Sequence, residues 1–374
     1  MTSLAATRPA RPLEWVRANA WIAGWWAAGR ALVLGTAMLM HVMGPRGLIG
    51  NDERAHALGV LGAWDGRWYR TVAANGYLLE PGRQSDPAFF PLYPLLLRGL
   101  NGLGVGYVTA GVVLSPVAFL GALAAFAVIT RELFGPSFTR RAVVYLALFP
   151  MGFVFSMAYP ESVVLCAIAL AAVAALRGRW LAAATLTALG SLARPETLFI
   201  SIPMLVLARH ERRPGQRGLA FGAVLAPFAA LGSFALYLGL TLHDPLAWTH
   251  AERAWGRKFT PLGLVNAIRD LPHAVDTNPW VLRDVAFLLV YLVLITAALR
   301  ANAPRSWVAA GVIVAVLPTF SGSFHSIGRF GLLAPAAFWG LGALGTSRRA
   351  DTAIRAVCAV LLVGGTVSLA GVFP

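Results

Sequence analysis

Ionisable residues are scarce in this chain, only 13% of 374, so the places where they gather are informative. The clearest gathering is Trp64–Pro94, WDGRWYRTVAANGYLLEPGRQSDPAFFPLYP, a polar, aromatic, proline-bent stretch between apolar runs. Asp65 stands there between Trp64 and Gly66, with Arg67 and Arg70 close behind. A carboxylate so placed can take a proton as a general base, and cations beside it can hold an anionic group. Asp52–Glu53 is a second acidic pair in the same segment, a rival for the base that would otherwise be a solvated loop. His243, Asp244, His250 and Glu252 form the one cluster with metal-ligand chemistry, but their spacing matches no zinc motif, and neither metal nor cofactor is expected.

The elements that must position these residues are membrane helices. Hydrophobic residues make up 58% of the chain, against roughly 45–50% in soluble domains. Several charge-free runs approach the ~20 residues that a bilayer crossing needs. Cys166 and Cys358 both lie inside apolar runs and read as small buried hydrophobes rather than a disulfide or metal pair. The net charge of +15 is spread along the chain without a basic, aromatic-laced module, which excludes a nucleic-acid partner. Lys258 is the sole lysine among the cations, a bias that reads as codon usage.

The tail bearing Arg8, Arg11 and Arg17 is expected to stay cytoplasmic. An uncleaved first helix follows at about Asn19–Met43, then an outer segment, 44–106, in which Phe89–Leu97 is a juxtamembrane helix interrupted by Pro91 and Pro94. Further helices are expected at Tyr107–Thr130, Ala142–Ala158 and Ser162–Leu176. Trp180–Ala208, too short for two full crossings and flanked by arginines on both sides, reads as a tight hairpin turning at Arg194–Pro195. Leu219–Leu242 precedes a second outer segment, 243–284, and Val285–Leu299, Ser306–Phe320, Phe330–Gly345 and Ala353–Val372 complete the chain. The expectation is an all-α polytopic membrane protein of about eleven transmembrane helices, one domain over 1–374. Sorted by this topology, most arginines fall on the inner side and most carboxylates on the outer, as the positive-inside rule requires.

The run WDGRWYRTVAANGY followed by AFFPLYPLL resembles the first outer loop of the GPI second-mannosyltransferase (PIG-V-like) family and its bacterial relatives, which are type-C glycosyltransferases. Arg30, Ala193–Arg194 and Arg329–Phe330 sit in places similar to recurrent arginines of that family; where members carry Asn-Gly after the hairpin arginine, this chain has Pro195–Glu196. The resemblance implies a membrane enzyme working among lipids at the outer face of the plasma membrane, with a polyprenyl-phosphate sugar as donor and a glycolipid, glycan or protein as acceptor. On that reading Asp65 is the base, with Asp52 and Glu53 as the alternative. Trp64, Arg67, Tyr69, Arg70, Phe90, Arg194 and Arg329 are expected substrate contacts, the last two meeting the phosphate. Arg30, among Trp21, Trp25 and Trp26, is expected to be a structural cation.

Chemistry alone is compatible with this. Hydrolysing a glycoside takes two carboxylates because the alkoxide leaving group must be protonated. Phosphate leaves unaided, so one base and nearby cations suffice. The absence of a glycine-rich strand-to-helix phosphate loop argues against a nucleotide sugar. A multi-helix transporter or lipid flippase, or a non-catalytic subunit of a glycan-assembly complex, is the alternative.

Overall fold

The computed structural model describes residues 17–43 and 57–369. Asp52 and Glu53 lie outside the described residues, which form helices joined by turns and loops, with no strand among them. In chain order the helices are α1 (Ala20–Met43), α2 (Asp65–Asn75), α3 (Leu92–Gly102), α4 (Tyr107–Phe134), α5 (Pro136–Leu148), α6 (Glu161–Leu176), α7 (Trp180–Ala193), α8 (Ser201–Arg209) and α9 (Gln216–Leu242). They continue as α10 (Ala247–Ala254), α11 (Gly263–Arg269), α12 (Leu271–Thr277), α13 (Val281–Arg300), α14 (Arg305–Val316), α15 (Ile327–Phe330), α16 (Pro335–Leu344) and α17 (Arg348–Ser368).

Five of these, α1, α4, α9, α13 and α17, are long and apolar enough to cross a membrane. The number rises to seven if two sharply bent pairs each count as one span. Eleven crossings are thus not shown: two expected spans are broken at proline, and α6, α7, α8 and α14 are shorter than a full crossing needs. Ala142–Ala158 is not one helix: α5 stops at Leu148, and Pro150–Ser156 continues as a 3-10 turn bent by 71°. Phe330–Gly345 is broken likewise, the segment before Ala334 meeting α16 at 86°. At both breaks, and at the hairpin turn, the residue before proline is driven out of the helical region by the pyrrolidine ring. Phe149 (φ −54°, ψ 142°), Arg194 (φ −160°, ψ 141°) and Ala334 (φ −102°, ψ 92°) are all non-helical. Such breaks are tolerated at membrane depth only where protein covers the freed backbone groups. Arg30, buried in α1, does part of this: its guanidinium donates to Gly152 O (2.8 Å) and Ser156 Oγ (2.7 Å) and lies over the Phe119 ring.

The segment 180–209 turns at Arg194–Pro195 and returns. Trp180 Nε1 at its start donates to Glu211 Oε2 just past its end (2.6 Å), and Arg213 donates to Arg177 O (3.1 Å). With 14 residues, α7 rises roughly 21 Å, short of the ~30 Å hydrocarbon layer. The hairpin tip, with Arg194, is thus held inside the bundle against α6 and α9.

The two long segments between apolar helices, 57–106 and 243–284, are packed rather than loose. In the first, α2 and α3 lie together, and Tyr77 Oη donates to Phe89 O (2.7 Å). The apolar stretch Phe89–Leu97, expected as one juxtamembrane helix, is divided: Phe89 and Phe90 precede the helix, and α3 begins only after Pro91, running 11 residues from Leu92. In the second, Trp255 sets its edge against Trp68 (5.4 Å) and Phe89 (6.0 Å), while Trp248 meets Phe90 (5.7 Å). These aromatic contacts bind the two segments over one cavity.

Candidate functional site

Asp65 opens α2 directly after a backbone distortion. Trp64 holds φ 56°, ψ −123°, which a bulky residue adopts only at a cost of about 1–3 kcal/mol. Its indole donates to Leu369 O (3.2 Å), and the backbone N–H of Asp65 donates to Tyr159 Oη (3.1 Å). Fixed in this way, the Asp65 carboxylate accepts from Arg329 Nη1 at 2.7 Å through Oδ2.

Arg329, only 2% exposed, is the centre of a buried ion network. Its Nη1 also lies 3.6 Å from Glu161 Oε1, and its guanidinium sits over the Tyr159 ring. Arg194 donates to the same Glu161 oxygen and grips Glu196 with two bonds of 3.0 Å. The network thus joins three carboxylates, Asp65, Glu161 and Glu196, through two guanidiniums. Each member owes its place to a helix end: Asp65 begins α2, Glu161 begins α6 after Pro160, Arg194 precedes Pro195, and Arg329 lies in the one-turn α15. Burial pushes the Tyr69 hydroxyl well above its ordinary range, so this neighbour of the network keeps its proton.

The network forms one side of a cavity of about 560 Å³. Of the residues expected from sequence, Asp65, Tyr69, Phe90, Arg194 and Arg329 line it. Three do not. Trp64 acts beside the cavity through its backbone, and Arg67 and Arg70 point elsewhere because α2 turns about 100° per residue. Tyr69, four residues after Asp65, returns to the same face; Arg67 and Arg70, two and five residues on, lie roughly 200° and 140° around the helix. Arg67 is exposed. Segment 243–284 contributes Trp248, Glu252, Arg253, Trp255, Arg257 and Lys258. An apolar side is built from Leu198, Phe199, Leu231, Val314 and Leu317.

Sequence reasoning missed Glu161, which falls in the gap between the expected helices Ala142–Ala158 and Ser162–Leu176. A carboxylate between two apolar runs is itself a signal, because an ionisable group in a membrane bundle is costly without a task. It also passed over Arg257, which donates to Glu252 (3.3 Å) and to Ser326 Oγ (3.3 Å). His250 Nδ1 meets Asp244 Oδ2 at 2.6 Å, and among the described residues no three metal-ligating side chains come together.

Chemically, the cavity offers three carboxylates each held by an arginine (Asp65, Glu196 and Glu252), further cations, and an apolar side. Neither a protein-family model nor a curated protein matches the chain.

Proposed function

We propose that the protein is a membrane-embedded glycosyltransferase, moving a sugar, expected to be mannose, from a polyprenyl-phosphate donor to a hydroxyl on an outer-face glycolipid, glycan or protein, with inversion. The observation that carries this reading is the convergence of Asp65 with Arg194 and Arg329 at one cavity, although Arg329 lies 264 residues along the chain from Asp65. The salt bridge to Arg329 uses Asp65 Oδ2, which leaves Oδ1 to receive the acceptor proton. As the acceptor oxygen bonds to one face of the anomeric carbon, the bond to the phosphate oxygen breaks on the other. The phosphate leaves with that electron pair, and nearby cations meet the added charge. The apolar side suits an isoprenoid chain.

Broken helices also suit a transporter, so the assay must separate the two. Detergent-purified protein is given radiolabelled polyprenyl-phosphate mannose or GDP-mannose, each with a chelator and candidate acceptors. Transfer from the lipid donor alone is expected, with Asp65→Asn remaining folded and losing at least about 10²-fold in rate. Activity with the nucleotide sugar alone would refute the donor. Near-normal turnover by Asp65→Asn would make the buried ion network structural, and vesicle transport without any transfer would favour the transporter.

A further inference from the structure

The cavity is electrically divided. Around Asp65, both guanidiniums are already committed to carboxylates. The part supplied by segment 243–284 is different: Arg253, Arg257 and Lys258 face the same space, and Glu252 on Arg257 is the one acid ion-paired with them among the described residues. Lys258, the single lysine of the chain, is exposed.

We propose that Arg257 and Lys258 form the subsite for the donor phosphate, and that Arg329, expected from sequence to hold it, is instead a positioning residue for Asp65. This rests on the transfer reaction proposed above. In an inverting displacement the base and the leaving group flank the anomeric carbon. The two carboxyls that do so in inverting glycoside hydrolases stand roughly 6.5–9.5 Å apart. Arg329, at 2.7 Å from Asp65, is on the base's own side of that carbon. Arg257 is one hydroxyl further out: Ser326 Oγ accepts from Arg329 Nη2 (3.2 Å) and from Arg257 Nη2 (3.3 Å), spacing the two guanidiniums.

Two further observations support a built spacing. Ser326 is 1% exposed and holds a left-handed φ of 70°, a conformation that a serine keeps only where the surroundings impose it. Phe330 has Arg194 over its ring at 4.8 Å and Arg257 at 6.0 Å, so Arg257 is placed by an aromatic contact as well as by Glu252. When the C–O bond breaks, the phosphate gains one negative unit. A subsite with an excess of cations meets that charge, whereas the two guanidiniums of the Asp65 network are already neutralised.

The test measures binding of polyprenyl monophosphate, the leaving group, to the purified full-length protein by tryptophan fluorescence, alongside donor KM and kcat. Lys258→Ala and Arg257→Gln are the main variants, because Lys258 is exposed and glutamine removes the Arg257 charge while keeping a hydrogen-bond donor for Glu252 and Ser326. Each is expected to weaken binding and raise donor KM by about tenfold, the loss of one charge-assisted contact. Inorganic phosphate in a second arm is expected to bind weakly with the same dependence on Arg257. Unchanged binding and KM in both main variants would overturn the subsite. If wild type transfers sugar while those variants are unaffected, the subsite falls and the transferase stands. If polyprenyl phosphate binds through Arg257 but no sugar is transferred, the reverse holds.

Discussion

Replacing Arg329 with methionine tests whether the buried network holds Asp65 in place. The substitution keeps much of the side-chain volume and removes the charge. Arg329 contacts Asp65 at 2.7 Å and Glu161 at 3.6 Å, with side-chain exposures of 2%, 13% and 0%. With charge centres about 4 Å apart and an effective dielectric of about 20, each attraction is worth about 4 kcal/mol. Against their sum stand the recovered desolvation of Arg329 and the relief of its repulsion from Arg194, which shares Glu161. Breaking one side of such a buried pair costs about 3–5 kcal/mol, because the remaining charge is left uncompensated, and that is the loss expected for Arg329→Met. Glu161 keeps Arg194, so most of the cost falls on Asp65. Neutralising both partners, in Arg329→Met with Asp65→Asn, should therefore restore about 1–3 kcal/mol relative to the sum of the single changes. Unfolding in mixed SDS micelles, followed by tryptophan fluorescence, reads all four proteins. A stability of Arg329→Met within about 0.5 kcal/mol of wild type, or strict additivity in the double variant, would refute the reasoning.

Trp255→Ala removes the edge contacts on Trp68 and Phe89 that tie segments 57–106 and 243–284 together, and should cost about 1–3 kcal/mol. Limited proteolysis should then cut 243–284 faster, while far-UV helicity is unchanged. Asp86 is buried in segment 57–106, and burial raises its carboxyl above the ordinary range, opposed in part by the Leu78 N–H bonded to it at 2.6 Å. A carboxyl raised on folding contributes stability below its ordinary value of about 4, and loses it as pH rises through the folded value. Asp86→Asn keeps an acceptor for Leu78 without the charge. It should be at least as stable as wild type at pH 8, with the difference shrinking towards pH 4 in thermal melts.

Arginines at hairpin turns and beside outer loops are legible as candidates because charge in so apolar a chain needs a reason, and Arg194 and Arg329 do reach the cavity. What composition does not carry is direction. Asp65, Arg67 and Arg70 are neighbours in sequence, but only once 65–75 is known to be a helix does the 100° step separate the first from the others. Hydropathy likewise locates Ala142–Ala158 without its break, since Phe149–Pro150 is as apolar as the helix around it; the information is in the proline. Lys258 reads as codon bias because its relevance depends on a fold contact between two distant loops. Glu161 is visible and easily undervalued: the same residue reads as a turn acid until Arg194 and Arg329 are seen on it.

The grip of Glu196 on Arg194 bears on how the hairpin gets into the bundle. The two residues are separated by one proline, and the guanidinium meets both carboxylate oxygens at 3.0 Å. The hairpin therefore brings its own counter-ion, and its tip is electroneutral before it touches any other helix. An unpaired arginine at such depth would oppose insertion. Glu161 then meets a guanidinium already half-satisfied, so docking of the tip can come after the surrounding helices have assembled. Glu196→Gln should accordingly lower the yield of inserted protein more than it lowers the stability of the molecules that do insert, a split that pulse-labelled membrane fractions set against purified protein would reveal.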